Sequence, residues 1–292
     1  MTFPSGPLRF HRPSMTPDAD AAALDGLDPH RLAAQELLRA PTPTPAHRDA
    51  HRELPPFSRA WFEELEAKRY SSPGAWLRRA LEFTRHAGDR LIMLGPGAGT
   101  DAVQYHRHGT DVTVCVTPAD RPALVRQNFA VRGLAIPVVA ADSSTVLPFA
   151  AGQFDLAYLN LMHAPPADPS ATAAEVYRVL KPGGKVFALA PSRFDAGYWQ
   201  RVILPLRHFY RPPAKLTSAP RYSVRALKAV FPQFTEPRTV KRHLRRSELP
   251  HIWRFPPVWL TERLLGRMLV LRAFKPVSAA WIDPPSEERE AA

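Results

Sequence analysis

At 292 residues the chain has room for one substantial domain with its own core plus extensions, and a single cysteine, Cys115, excludes a disulfide framework. No stretch approaches the roughly 18 uncharged apolar residues that cross a bilayer, and the proline-broken N-terminus has no apolar signal-peptide core, so a soluble, cytoplasmic protein is expected. The formal charge of +12 is localised: residues 89–190 carry eight basic and eight acidic side chains, whereas 191–275 carry eighteen against four, a field suited to an anionic substrate, an anionic membrane surface or nucleic acid, or a plainly solvated face.

Residues 1–56 are rich in proline, alanine and polar side chains, with Pro41-Thr42-Pro43-Thr44-Pro45 as the clearest extended stretch. They predict a mostly disordered leader carrying one short helix near Asp28 to Leu38. Residues 57–87 read as two cover helices, the first from the helical spacing of Trp61, Phe62, Leu65 and Tyr70, the second from Trp76, Leu77, Ala80, Leu81 and Phe83. From 88 to 190 apolar strands alternate with amphipathic helices, the pattern of a parallel sheet covered on both faces. Strands are predicted at 91–94, 111–116, 136–140, 155–159 and 185–189, with helices at 100–108, 122–132 and 171–180. Cys115 lies in the second of these strands and reads as a buried, inert thiol. The basic part, 191–276, supplies a helix over 223–231 capped by Ser223 and two final strands, 240–244 and 268–274. Residues 277–292 read as a flexible tail, and no internal repeat is present.

The chemistry-bearing feature is the loop Gly95-Pro96-Gly97-Ala98-Gly99 between the first strand and its helix. Glycines there let the backbone turn tightly and approach a ligand, and the helix N-terminus presents free N–H groups. A dinucleotide fingerprint needs G-x-G-x-x-G, but the third position falls on Thr100, and no acid closes the second strand to hold a ribose. Four further stretches follow in order: Ala141-Asp142, Leu147-Pro148-Phe149, Gln153-Phe154-Asp155-Leu156, and Glu175-Val176-Tyr177-Arg178-Val179-Leu180-Lys181-Pro182-Gly183-Gly184-Lys185. With the glycine loop, this set resembles the class I S-adenosylmethionine-dependent methyltransferases of the type 11 group, related to ubiquinone and menaquinone methylases, over residues 90–190.

The resemblance implies an α/β, Rossmann-like, doubly wound and mostly parallel seven-stranded sheet with helices on both faces and an antiparallel last strand. It implies S-adenosyl-L-methionine as cofactor, lying over the carboxyl ends of the first three strands. Carried over by position, Gly95, Pro96, Gly97 and Gly99 line the methionine and ribose portion, Asp142 accepts from the adenine amino group and Ser143 flanks the ring. Asn160 and Leu161 face the reactive methyl. His163 is a candidate general base, with an ordinary loop histidine as the alternative. No catalytic residue is otherwise assigned, and no metal is expected, since His106 and His108 point to different helix faces. Asp101 caps its helix or, as the alternative, reaches the cofactor, and Asp155 reads as a structural loop acid.

Two positions depart from the family: Met93 and Thr117 stand where relatives carry acids, the second of which grips the ribose hydroxyls. Asp120 is either a substitute reaching in from the loop or a cap for the next helix. The expected activity is methyl transfer by direct in-line displacement to a small acceptor, acidic or amphipathic in view of the aromatic–cationic runs Tyr198–Arg201, Arg207–Arg211 and Ile252–Phe255. The alternative is a catalytically degenerate fold that binds a ligand, or an anionic membrane through Pro257–Leu265, without turnover. In that segment Trp259, Leu260, Leu264 and Leu265 otherwise cover the sheet. Nucleic acid is not an expected partner, because the basic run Lys241–Arg246 reads as a solvated strand edge and Asn160-Leu161-Met162-His163 lacks the tetrad typical of base methylation.

Overall fold

The computed structural model describes residues 17–38, 54–71, 74–163, 165–196, 198–199, 220–244 and 257–277. Its centre is one seven-stranded sheet of β1 (Arg90–Leu94), β2 (Asp111–Val116), β3 (Val138–Ala140), β4 (Phe154–Asn160), β5 (Leu180–Pro191), β6 (Thr235–Arg242) and β7 (Met268–Phe274), in the order β3-β2-β1-β4-β5-β7-β6. The first five strands pair in parallel, and β7 runs antiparallel between β5 and β6. This is the expected Rossmann-like arrangement.

Period-two alternation sends neighbouring residues to opposite faces, and both faces are buried, so the strands read as continuous apolar runs. In β1, Leu91 and Met93 join one core layer and Ile92 and Leu94 the other. The first layer lies under α4 (Leu77–Ala80), α5 (Thr100–Arg107) and α6 (Pro122–Val131), with Tyr70, the C-cap of α3 (Arg59–Arg69), reaching into it; the second lies under α7 (Pro169–Val179) and α8 (Val224–Ala229). The second cover segment is shorter than predicted: α4 ends at Ala80, and a 3-10 turn at Phe83–Arg85 follows after Glu82, whose φ of 52° is left-handed. Ser58, Asp168 and Ser223 cap their helices by accepting from backbone N–H groups. Cys115 is fully buried, and burial pushes its thiol up to about 12, which keeps it unreactive.

The leader is not disordered between residues 17 and 38. It forms α1 (Pro17–Asp25) and α2 (Pro29–Glu36), the second capped by the Asp28 side chain. Leu32 and Leu37 are buried in a third cluster with Phe62, Leu65 and Leu124, and Asp20 pairs with Arg126 at 3.2 Å. Composition understates this segment because its apolar residues find their partners on α3 and α6, far away in sequence. The Pro41–Pro45 stretch, the tail beyond 277 and the runs Arg207–Arg211 and Ile252–Phe255 lie outside the described residues.

A last helix, α9 (Val258–Leu265), turns Thr261 and Leu265 inward, while Trp259 and Leu264 are 66% and 49% exposed. The expectation that all four apolar residues cover the sheet is therefore corrected, since one helical face accommodates only the residues spaced four apart. In the basic run read as a solvated edge, Lys241 is half-buried, whereas Arg242 beside it is exposed. The Lys241 Nζ donates to the carbonyl oxygens of Phe194 and Leu264, both at 2.6 Å, and burial pushes it down to about 8. No helix among the described residues is long and apolar enough to cross a membrane.

Candidate functional site

The site forms where β1 and β4 end side by side. Leaving β1, the chain takes left-handed conformations at Gly95, Gly97 and Gly99, with φ of 66°, 60° and 79°, before entering α5. At Gly95 a Cβ would stand 2.3 Å from the Asn160 carbonyl oxygen at the end of β4, so both backbone sign and space demand glycine. Gly95→Ala is expected to destabilise the fold by about 2–4 kcal/mol, combining left-handed strain with displacement of β4. Thermal melting reads this directly, and an unchanged midpoint would contradict it.

The loop holds a carboxylate. The Ala98 N–H donates to Glu36 Oε1 at 2.7 Å, and a Cβ on Gly97 would stand 2.2 Å from that same oxygen and 2.8 Å from His163 Cδ2. Glu36, at the end of α2, is 7% exposed. Behind it Arg69 Nη1 donates to the Glu36 carbonyl at 2.9 Å and to Oε2 at 3.2 Å, while Nε and Nη2 bind the two oxygens of Asp101 at 2.9 and 2.7 Å. Tyr70 donates to Asp101 at 2.5 Å, and Tyr158 also donates to it. Asp101 is thus no helix cap: the N-cap of α5 is Gly99, with no side-chain hydrogen bond, and the Asp101 carboxylate is committed to a buried cluster. Burial alone would raise the Asp101 carboxyl, but Arg69 and the two tyrosines hold it below its ordinary value.

Thr117, just beyond β2, gives both its N–H and its hydroxyl to Asp120 Oδ2, at 2.7 and 2.9 Å. The N-cap of α6 is Arg121, without a side-chain hydrogen bond, so Asp120 does not cap that helix. Its carboxylate lies instead at the carboxyl end of β2, the region from which the family's acid is missing. Burial pushes Asp120 up, against the Thr117 hydrogen bonds and the charges of His163 and Arg121. Met93 is fully buried in the core, where a carboxylate would be uncompensated.

Asp142 is exposed immediately after β3, and the Ser143 hydroxyl meets Thr145 Oγ1 at 2.8 Å. Asn160 and Leu161 are buried at the end of β4, and Asn160 Oδ1 accepts from the Met162 N–H at 2.9 Å, shaping the turn that presents His163. His163 Nε2 is 3.4 Å from Glu36 Oε1, and its side chain is 8% exposed. The structure therefore brings Gly95, Gly97, Asn160 and His163 together, with Asp120 close enough to act on His163; Asp142 and Ser143 lie farther along, at the end of β3. Glu36 and Arg69 are not legible as site residues in the sequence, since nothing local distinguishes them from solvated helix charges.

Burial lowers the His163 imidazole below its ordinary value, opposed by Glu36 and Asp101 and reinforced by Arg69 and Arg121. A histidine held neutral in the folded state contributes stability above its unfolded value of about 6.5 and loses it as pH falls, because unfolding then takes up a proton. Urea unfolding at two pH values on either side of that value should show a steeper loss for the native chain than for His163→Gln. Equal slopes would contradict the assignment.

The sequence comparisons bear on this geometry. The family described as "Methyltransferase domain" (type 11) matches residues 92–188. The match covers residues 92–188, less than half of the chain. The matched stretch runs from Ile92 in β1 to Ala188 in β5 and includes the glycine loop and the Asn160–His163 turn. A demethylmenaquinone methyltransferase of Thermus thermophilus is 31% identical over 139 residues, covering 44% of this chain and 63% of the relative. The chain thus spans less than two thirds of that relative's length. Among solved structures, the PH0226 protein of Pyrococcus horikoshii OT3 shares the fold at a TM-score of 0.50 and 15% identity, over 79% of this chain and 100% of that one.

Proposed function

We propose that the methyltransferase domain binds S-adenosylmethionine and that the chain transfers its methyl group to a small acidic or amphipathic acceptor. The observation that supports this best is the carboxylate seat: the Ala98 N–H, framed by left-handed glycines, already takes a carboxylate, the group at the amino-acid end of the cofactor. The residues present fit the rest of the cofactor. Asp120 stands in for the ribose-holding acid, Asp142 and Ser143 are the adenine-side residues, and Asn160 and Leu161 close the methyl end against water. A carboxylate on a hydroxyl pair gives bonds about twice as strong as neutral ones, so Asp120 matters more to affinity than Thr117.

When bound, the cofactor supplies a methyl group already activated on a sulfonium. What the chain must add is alignment, which is worth on the order of 7–11 kcal/mol in favourable cases and needs no dedicated base. His163, kept neutral by burial, is in the protonation state that accepts a proton from an acceptor hydroxyl.

Calorimetric titration with S-adenosylmethionine and S-adenosylhomocysteine tests the proposal. Saturable binding is expected, weakened about tenfold by Asp120→Asn, the loss of one charge-assisted contact. Absence of binding at millimolar ligand would sink it. Methyl transfer to a panel of acidic, neutral and cationic acceptors then tests the acceptor class, and a preference for cationic compounds would count against it.

A further inference from the structure

A second cavity lies away from the glycine loop, on the face of β6 and β7 turned toward α4. It encloses about 330 Å³ and shares no residue with the site described above. Arg238, Arg242 and Arg272 enter it from the strands, Arg79 and Trp76 from the cover segment, and Glu82 from the turn that follows. Val240 and Val270, cross-strand partners, form its apolar floor.

The charges do not balance. Arg238 and Arg272 are direct cross-strand neighbours, an arrangement of like charges that costs stability unless an anion lies between them. Glu82 is the lone acid of the lining, and it is committed: Lys185 Nζ donates to it at 2.7 Å and Arg272 also donates to it. Arg238 faces Glu236 at 3.8 Å on the exposed side. Arg79 and Arg242 meet no acid among the described residues. The Trp76 indole N–H is buried and has no acceptor among the described residues. Apart from Glu82, every side-chain polar group of the lining is a donor, and guanidinium cannot shed its proton. Arg79 and Arg242 are exposed, so an anion can reach their guanidinium groups without breaking an ion pair.

We propose that this cavity is a binding site for a small organic anion, whose phosphate or carboxylate oxygens pair with Arg79 and Arg242. The apolar part of the ligand lies on the indole and on Val240. The volume sits at the small end of ligand pockets and fits a single-ring compound. Guanidinium forks match both oxyanions in geometry.

The test is titration of the full chain with phenyl phosphate, benzoate, inorganic phosphate and neutral benzyl alcohol, followed by tryptophan fluorescence and calorimetry. Phenyl phosphate or benzoate, whichever oxyanion is preferred, is expected to bind at one site, and benzyl alcohol not to bind. The exposed double variant Arg79→Ala/Arg242→Ala should weaken binding at least about tenfold with an unchanged melting temperature. Binding that is absent at about 10 mM ligand, unaffected by the double variant, or competed by S-adenosylmethionine would overturn the proposal.

Discussion

Replacing Glu36 by alanine is expected to tighten S-adenosylmethionine binding by roughly tenfold. Any carboxylate that enters the glycine loop must displace Glu36 from the Ala98 N–H, and a charged hydrogen bond of that kind is worth about 1.5–3 kcal/mol. Removing the internal occupant removes the competition, and it also opens the space above Gly97. The gain comes with a loss, since Glu36 anchors α2 to Arg69, so the variant should melt at a lower temperature in the absence of ligand. Calorimetry of the native chain, Glu36→Ala and Glu36→Gln separates the cases. Glutamine keeps the hydrogen bond without the charge and should fall between the other two. If binding weakens in the alanine variant, Glu36 supports the ligand rather than competing with it. If neither chain binds, it is the cofactor proposal that fails.

Asp101→Asn is expected to cost about 3–5 kcal/mol, because breaking one side of a buried ion pair leaves Arg69 charged and under-compensated. That is a large share of the roughly 5–15 kcal/mol by which a domain is stable. The amide retains the shape but cannot receive both guanidinium bonds and both tyrosine hydroxyls. Pairing the change with Arg69→Met should recover part of the loss, since an apolar replacement of a whole buried pair is often neutral. Urea denaturation measures both, and a single-variant loss under about 1 kcal/mol would show that the cluster is better solvated than its burial indicates. The sign with pH follows from the lowered Asp101 carboxyl: its contribution is complete above the ordinary carboxylate range and is lost in acid below it.

What can be read from the sequence follows from how local each cause is. The bounds of β2 and β7 coincide with expectation because a strand buried on both faces is a contiguous apolar run. In contrast, β3 is shorter than its apolar stretch, losing Ile136 and Pro137, and β5 is longer, extending back through Lys181-Pro182-Gly183-Gly184 to pair with β4 at Phe154. The glycine loop is legible from spacing, since three left-handed turns tolerate little else. Glu36 is not: a glutamate in an alanine-rich helix looks solvated until Arg69 and the Ala98 N–H, 33 and 62 residues away, are brought to it. Asp101 is misread for the same reason, because a first-turn acid satisfies a capping rule whether or not an arginine waits behind it.

The two ends of the sheet are built so that it stops. At one end β3 has three residues, too few to offer a template. At the other, β6 contains Pro237, which has no N–H to donate, slips register between Thr235 and Arg238, and points Arg238 and Arg242 out on one side. A strand from a second copy laid along β6 would bring those arginines against its own, so crowded chains are turned away from fibre-like stacking by the same cations that line the cavity beside them.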